Sequence, residues 1–194
     1  DRFIDQYSQL ELDKIDKEGF ENLVLNSPTQ LNNLFMSGLG ASTLILRLGA
    51  VVNLSKRLDE GDTDEDALLM KQILENLREI LPTDTNWKTV WQICCDPDSE
   101  WAKCIESEKG KQSLMERFIT FRNKFVHELI SINQKHINAL NNGIEVIYEI
   151  CTSVSRLYEN TNLIEKDGEY HFVEKGKEIS LYPFVQKGSS DGLP

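Results

Sequence analysis

The sequence predicts a mainly helical bundle with a small β-hairpin near its C-terminal end. Two observations carry that reading. Between Ser27 and Asn160, apolar residues recur at helical spacing through several long segments. After Gly168 the pattern changes period, and apolar and polar residues alternate around a Lys-Gly pair. The length of 194 residues suits one domain with its own core plus a small appendage.

The elements follow in order. Residues 1–26 mix apolar and acidic positions and read as one or two short helices. Ser27-Pro28 reads as an N-cap followed by proline at the first helical position. Leu31, Leu34, Phe35, Leu39, Leu44, Ile45 and Leu48 then mark one helix out to about Arg57. Inside it, Gly38, Gly40 and Ala41 are expected to let a neighbouring helix approach closely. DEGDTDED, at 59–66, reads as an acidic loop, and ALLMKQILENLREIL as a helix that stops at Pro82. TDTNWKTVWQICC and SEWAKCIESE read as short helices on either side of an Asp96-Pro97-Asp98 turn. KQSLMERFITFRNKFVHELISI, 111–132, is strongly amphipathic, with Leu114, Phe118, Phe121, Phe125 and Leu129 on one stripe. INALNNGIEVIYEICTSVSRLYEN, 137–160, is the last long helix. EYHFVEKGKEISLYPFV reads as the hairpin, with Pro183 at an edge or a strand end. The expected organisation is short helices over 1–26, a helical domain over 27–162, a hairpin over 163–187 and a linker or tail over 188–194.

Composition limits the function. Hydrophobic residues make up 40% and charged residues 27%, as in ordinary globular proteins. The most apolar stretch, STLILRLGAVVNL, is short and interrupted by Arg47, so no membrane span is expected. No secretory leader is visible, and the start at Asp1 and the SSDGLP end are those expected of a piece of a larger protein. Cys94, Cys95, Cys104 and Cys151 include no C-x-x-C pair, which favours buried thiols in a reducing cytoplasm over a disulfide framework. A net charge of −11 argues against a protein that coats nucleic acid through bulk charge. From Lys109 to His136, however, six cations face only Glu116 and Glu128, a local charge of +4. Such a patch can hold a phosphate backbone that the rest of the chain repels.

Several motifs fail on inspection. Asp62-x-Asp64-x-Asp66 has Ala67 and Ile73 where a calcium loop needs glycine and glutamate. Asp96-x-Asp98-x-Glu100 fails likewise, with Trp101 and Ser107. Gly110-Lys111 lacks the rest of a phosphate loop, and Gly38-x-Gly40 lies in a helix rather than a strand-turn-helix. His136 and His171 have no metal-ligand spacing. Neither a metal nor a nucleotide cofactor is expected.

What remains is RNKFVH, residues 122–127, which holds one of only three histidines. On a helix Asn123 and His127 lie one turn apart on one face, and Arg122 stands about 140° round from His127. Imidazole transfers protons near neutral pH. A guanidinium neutralises charge that develops on a phosphate. These parts suffice for metal-free RNA cleavage, in which a base activates a 2′-hydroxyl to attack the adjacent phosphate. Taken alone, His127 reads as a helix histidine satisfied by nearby carbonyls; with Arg122 and Asn123 in place, a functional site is the preferred reading. Phe118, Phe121 and Phe125 read as core or dimer interface rather than base-stacking platforms, and Trp87, Trp91 and Trp101 as packing anchors. Lys124 and Arg117 are the lesser candidates for phosphate contact.

Arg122-Asn123-x-x-x-His127 resembles the R-[polar]-x3-H signature of HEPN domains, the higher eukaryotes and prokaryotes nucleotide-binding superfamily. The context is similar too: the motif lies on a long amphipathic helix followed by another, within helical sequence from about Pro28 to Asn160. Glu128 stands where many members carry a small residue. The resemblance implies a HEPN-like helical bundle acting as a homodimer, with two motif helices facing each other across a two-fold axis. It implies a metal-independent endoribonuclease, with RNA as partner, of a toxin or antiviral defence system. His127 would be general base or acid, Arg122 the phosphate stabiliser and Asn123 the orienting group. It also implies sensor or NTPase domains elsewhere in a larger chain. Other members have lost catalysis and serve as dimerisation or ligand-sensing modules.

Overall fold

The computed structural model describes residues 2–60, 71–73, 75–77, 82–107, 111–128, 131–159, 161–182 and 185. The protein is mainly helical with a small three-stranded antiparallel sheet. Its helices are α1 (Arg2–Gln9), α2 (Lys17–Asn26), α3 (Pro28–Glu60), α4 (Asp84–Cys94), α5 (Leu114–His127) and α6 (Ile137–Glu149). Residues 71–73 and 75–77 are helical as well. The strands are β1 (Thr161–Lys166), β2 (Glu169–Glu174) and β3 (Lys177–Ser180).

Compact packing divides the chain into two units that are interleaved in sequence. One holds residues 1–46 and 104–155, the other 47–103 and 156–194. In the first unit, aromatic residues at helical spacing on α5 meet α3. Phe35 lies 5.7 Å from Phe121 and 5.3 Å from Phe125, centroid to centroid, and all three are buried. Of the small residues expected to admit a neighbour, Gly38 does so: a methyl group there would come within 2.6 Å of Ile147 and 2.7 Å of Phe3. Gly40 instead faces open space. Gly143, on α6, is the close approach the sequence reading missed, since the Phe121 ring occupies the space a side chain would need.

In the second unit, fully buried Trp91 of α4 lies over Gly49 of α3, and the rings of Trp91 and Trp101 are 5.8 Å apart. The sheet has order β1-β2-β3, with Leu163, Phe172 and Ile179 in one cross-strand row. Phe172 and Ile179 are buried, whereas Leu163, on the edge strand, is exposed. The appendage therefore holds one strand more than the expected hairpin. Its first turn is Asp167-Gly168 at φ 54 and 85, and its second is Lys175-Gly176 at φ 50 and 82. Left-handed residues of this kind close two-residue hairpins because their twist matches that of the strands. Asp-Gly, passed over in the sequence, marks the extra strand pair.

Helix ends account for the other differences. The segment 111–132 forms a helix only as far as His127. Asn133 takes extended angles, φ −153 and ψ 168, and caps a new turn by accepting the Lys135 amide at 3.0 Å, which a continuing helix would not permit. Leu129 lies outside the described residues. The expected helix over 99–108 is reduced to a 3-10 turn at Ala102–Cys104. The last long helix passes into a π turn at Ile150–Val154 and a 3-10 turn at Ser155–Tyr158. Most of the acidic loop, Pro183 and the C-terminal tail lie outside the described residues. By length and composition α3 is apolar enough to cross a membrane, against the expectation, and half of its apolar window is buried within the fold.

The four cysteines are free thiols, with Cys94, Cys104 and Cys151 buried and Cys95 half-buried. Burial pushes Cys94 up to about 12 and Cys151 up to about 11. Since the thiolate is the reactive form, an aromatic disulfide reagent at pH 8 is expected to modify Cys95 first. The other three should react only on unfolding, and Cys95→Ser should remove the fast phase.

Candidate functional site

The motif sits on the last turns of α5. Ser113 and Glu116 set the helix start through reciprocal bonds: the Glu116 amide donates to Ser113 Oγ at 3.2 Å, and the Ser113 amide donates to Glu116 Oε2 at 3.0 Å. This capping box fixes the phase of every residue that follows. Phe118, Phe121 and Phe125 then face the core. Asn123, Lys124 and His127 fall on the exposed side, with Arg122 half-buried. His127 is the last helical residue, and it and Lys124 are the basic residues of the last turn.

The structure brings two of the motif residues into direct contact. Arg122 Nη1 donates to Asn123 Oδ1 at 3.3 Å, so Asn123 engages the guanidinium. Lys124 is exposed beside them. Arg117 lies further from the motif in sequence, and its Nη1 donates to Glu149 Oε2 of α6 at 3.0 Å. A phosphate at Arg117 would compete with that carboxylate. Val126, next to His127, is 42% exposed, an apolar surface beside the charged one. Neither of the two cavities described below takes in Arg122, Asn123 or His127. Among the described residues no group of three or more His, Cys, Asp or Glu stands where it could hold a metal ion.

Two cavities formed by described residues lie elsewhere. A pocket of about 280 Å³ in the first unit is lined by Tyr7, Asp16, Asn138, Asn141 and Glu145 among others. A larger cleft, about 720 Å³, lies wholly in the second unit. At its wall Lys56 Nζ donates to Glu174 Oε2 at 2.6 Å, and Trp101 Nε1 donates to Glu174 Oε1 at 3.3 Å. Lys56 also lies 5.1 Å from the centre of the Trp101 ring. Burial alone would push the Glu174 carboxyl up. The hydrogen bond and charge of Lys56, with the Trp101 donor, overcome this and hold it below its usual 4.5. A carboxylate depressed on folding contributes stability that is fully present above pH 4.5 and lost as the pH falls through the lower folded value. Glu174→Gln is therefore expected to lower stability near neutral pH and to flatten its acid-side slope, as read from urea midpoints between pH 3 and 6.

Sequence reasoning took Trp101 as a packing anchor and had no signal for the cleft. Its walls come from the end of α3, the loop after α4, the turn before β1 and the β2–β3 hairpin, segments far apart along the chain. No family model, curated protein or solved structure matches the chain significantly.

Proposed function

We propose that this chain is a HEPN-type module that cleaves RNA without a metal, at a composite site formed by two copies. The observation that supports the reading most directly is the exposed cluster on the last turns of α5, where Arg122 is bonded to Asn123 and His127 is open to solvent. His127 takes the proton of a ribose 2′-hydroxyl. The freed O2′ attacks the neighbouring phosphorus and the P–O5′ bond breaks. The departing 5′-oxygen receives a proton from the second copy's equivalent imidazole, and a 2′,3′-cyclic phosphate remains. Arg122 neutralises the charge gathering on the phosphoryl oxygens, and Asn123 holds its guanidinium in place. The second copy supplies the opposite wall of the cleft, which fits the exposed Val126 beside the motif.

A second reading, a HEPN dimerisation or ligand-sensing module without catalysis, is favoured by Glu128, whose exposed side chain adds a negative charge next to His127. The two separate in one experiment. The purified chain is incubated with mixed single-stranded and structured RNA in EDTA, and its mass in solution is measured. A dimer that cleaves, leaving cyclic phosphate ends, supports the ribonuclease. A dimer that leaves RNA intact supports the silent module. Activity that EDTA abolishes and a divalent ion restores overturns the mechanism.

A further inference from the structure

The cleft in the second unit is independent of the α5 motif and carries a different inference. Its volume, about 720 Å³, lies within the roughly 300–1,000 Å³ typical of small-molecule sites. Four carboxylates line it, and three are already engaged. Glu174 accepts from Lys56 and Trp101, Glu100 accepts from Lys103 Nζ at 2.6 Å, and Asp96 Oδ1 accepts the Asp98 amide at 3.0 Å. Only Asp98 keeps a side chain without such a bond among the described residues. Of the five cations, Lys56 is held by Glu174, Lys177 lies 3.3 Å from Asp59, and Arg57 is engaged as well. Arg156 and Lys175 also line the cleft, and neither makes a side-chain hydrogen bond or ion pair among the described residues. The local surplus is thus cationic, in a chain of net charge −11.

Lys175 adds a second observation. It sits at φ 50 in the β2–β3 turn, a position that suits Asn, Asp or Gly and strains a long side chain. The matching position of the first turn holds Asp167, at φ 54. At Lys175 the backbone takes the less favourable residue, and that residue places an ammonium on the cleft wall.

We infer that this cleft binds a small phosphate-bearing anion, with Arg156 and Lys175 as its contacts. A guanidinium fork matches two phosphate oxygens, and an ammonium takes a third as a point charge. The site goes beyond the proposed ribonuclease reading and does not depend on it.

The test is calorimetric titration of the whole chain with pyrophosphate at low ionic strength in EDTA, with citrate in parallel. Pyrophosphate is expected to bind saturably and more tightly than citrate. Arg156→Gln and Lys175→Asn should each weaken it about fivefold or more, as expected for loss of one charge contact. Lys135→Gln, in the first unit, should leave it unchanged. Asparagine tolerates positive φ, so Lys175→Asn should keep or raise the melting temperature, which separates lost binding from lost folding. Absence of saturable binding overturns the proposal. So does binding indifferent to both cleft substitutions, or weakened equally by Lys135→Gln. Citrate binding as tight as pyrophosphate overturns the phosphate assignment.

Discussion

Replacing His127 with alanine is expected to lower the proposed RNA cleavage by about 10²–10⁴-fold, the usual worth of a positioned general acid or base. The fold should be nearly unaffected, because the side chain is exposed at a helix end and buries nothing. Arg122→Ala should cost about 10²–10³-fold, through lost stabilisation of the phosphoryl oxygens. Asn123→Ala should cost less, since it releases Arg122 from one hydrogen bond while leaving its charge in place. The measurement is the initial rate of RNA cleavage in EDTA, with each variant matched for circular dichroism and solution mass. Wild-type rates from the His127 variant would remove that residue from the chemistry and the proposed mechanism with it.

Trp91→Ala should have the largest effect on stability, about 3–5 kcal/mol. The indole is wholly buried, contacts α3 at Gly49 and lies against Trp101. Its removal leaves a cavity that two helices cannot close without moving. Gly49→Ala attacks the same contact from the other side. Its methyl group enters space the indole occupies, an overpacking cost of about 1–3 kcal/mol against a gain of up to 1 kcal/mol in helix propensity. In the Trp91→Ala background that methyl fills part of the cavity, so the double variant should be less destabilised than the sum of the two. Urea midpoints followed by circular dichroism would show this. A loss below about 1 kcal/mol for Trp91→Ala would mean that the packing is looser than the burial indicates.

Local rules made much of the architecture legible. The Ser-Pro start of α3, the phenylalanine stripe of α5 and the change of period before β2 each have a cause within a few residues, and each is found where the sequence places it. Two further local signals went unused: the Ser113–Glu116 capping box and the Asp167-Gly168 turn. The end of α5 at His127 was less legible. Helical periodicity continues past it, and the competing cap at Asn133 gains its hold only once the backbone turns.

The sequence by itself determined the helical class, the apolar faces, and the RNKFVH motif with its place on one amphipathic helix. These follow from periodicity, which is a property of neighbours in the chain. Only the tertiary structure decided which glycines lie under rings and that the chain folds as two units interleaved in sequence. It alone assembled Lys56, Trp101, Arg156 and Lys175 around one cleft. Contacts between residues so far apart in the chain leave no periodic trace, because they depend on how buried surfaces fit and how charges are matched after the chain has closed on itself.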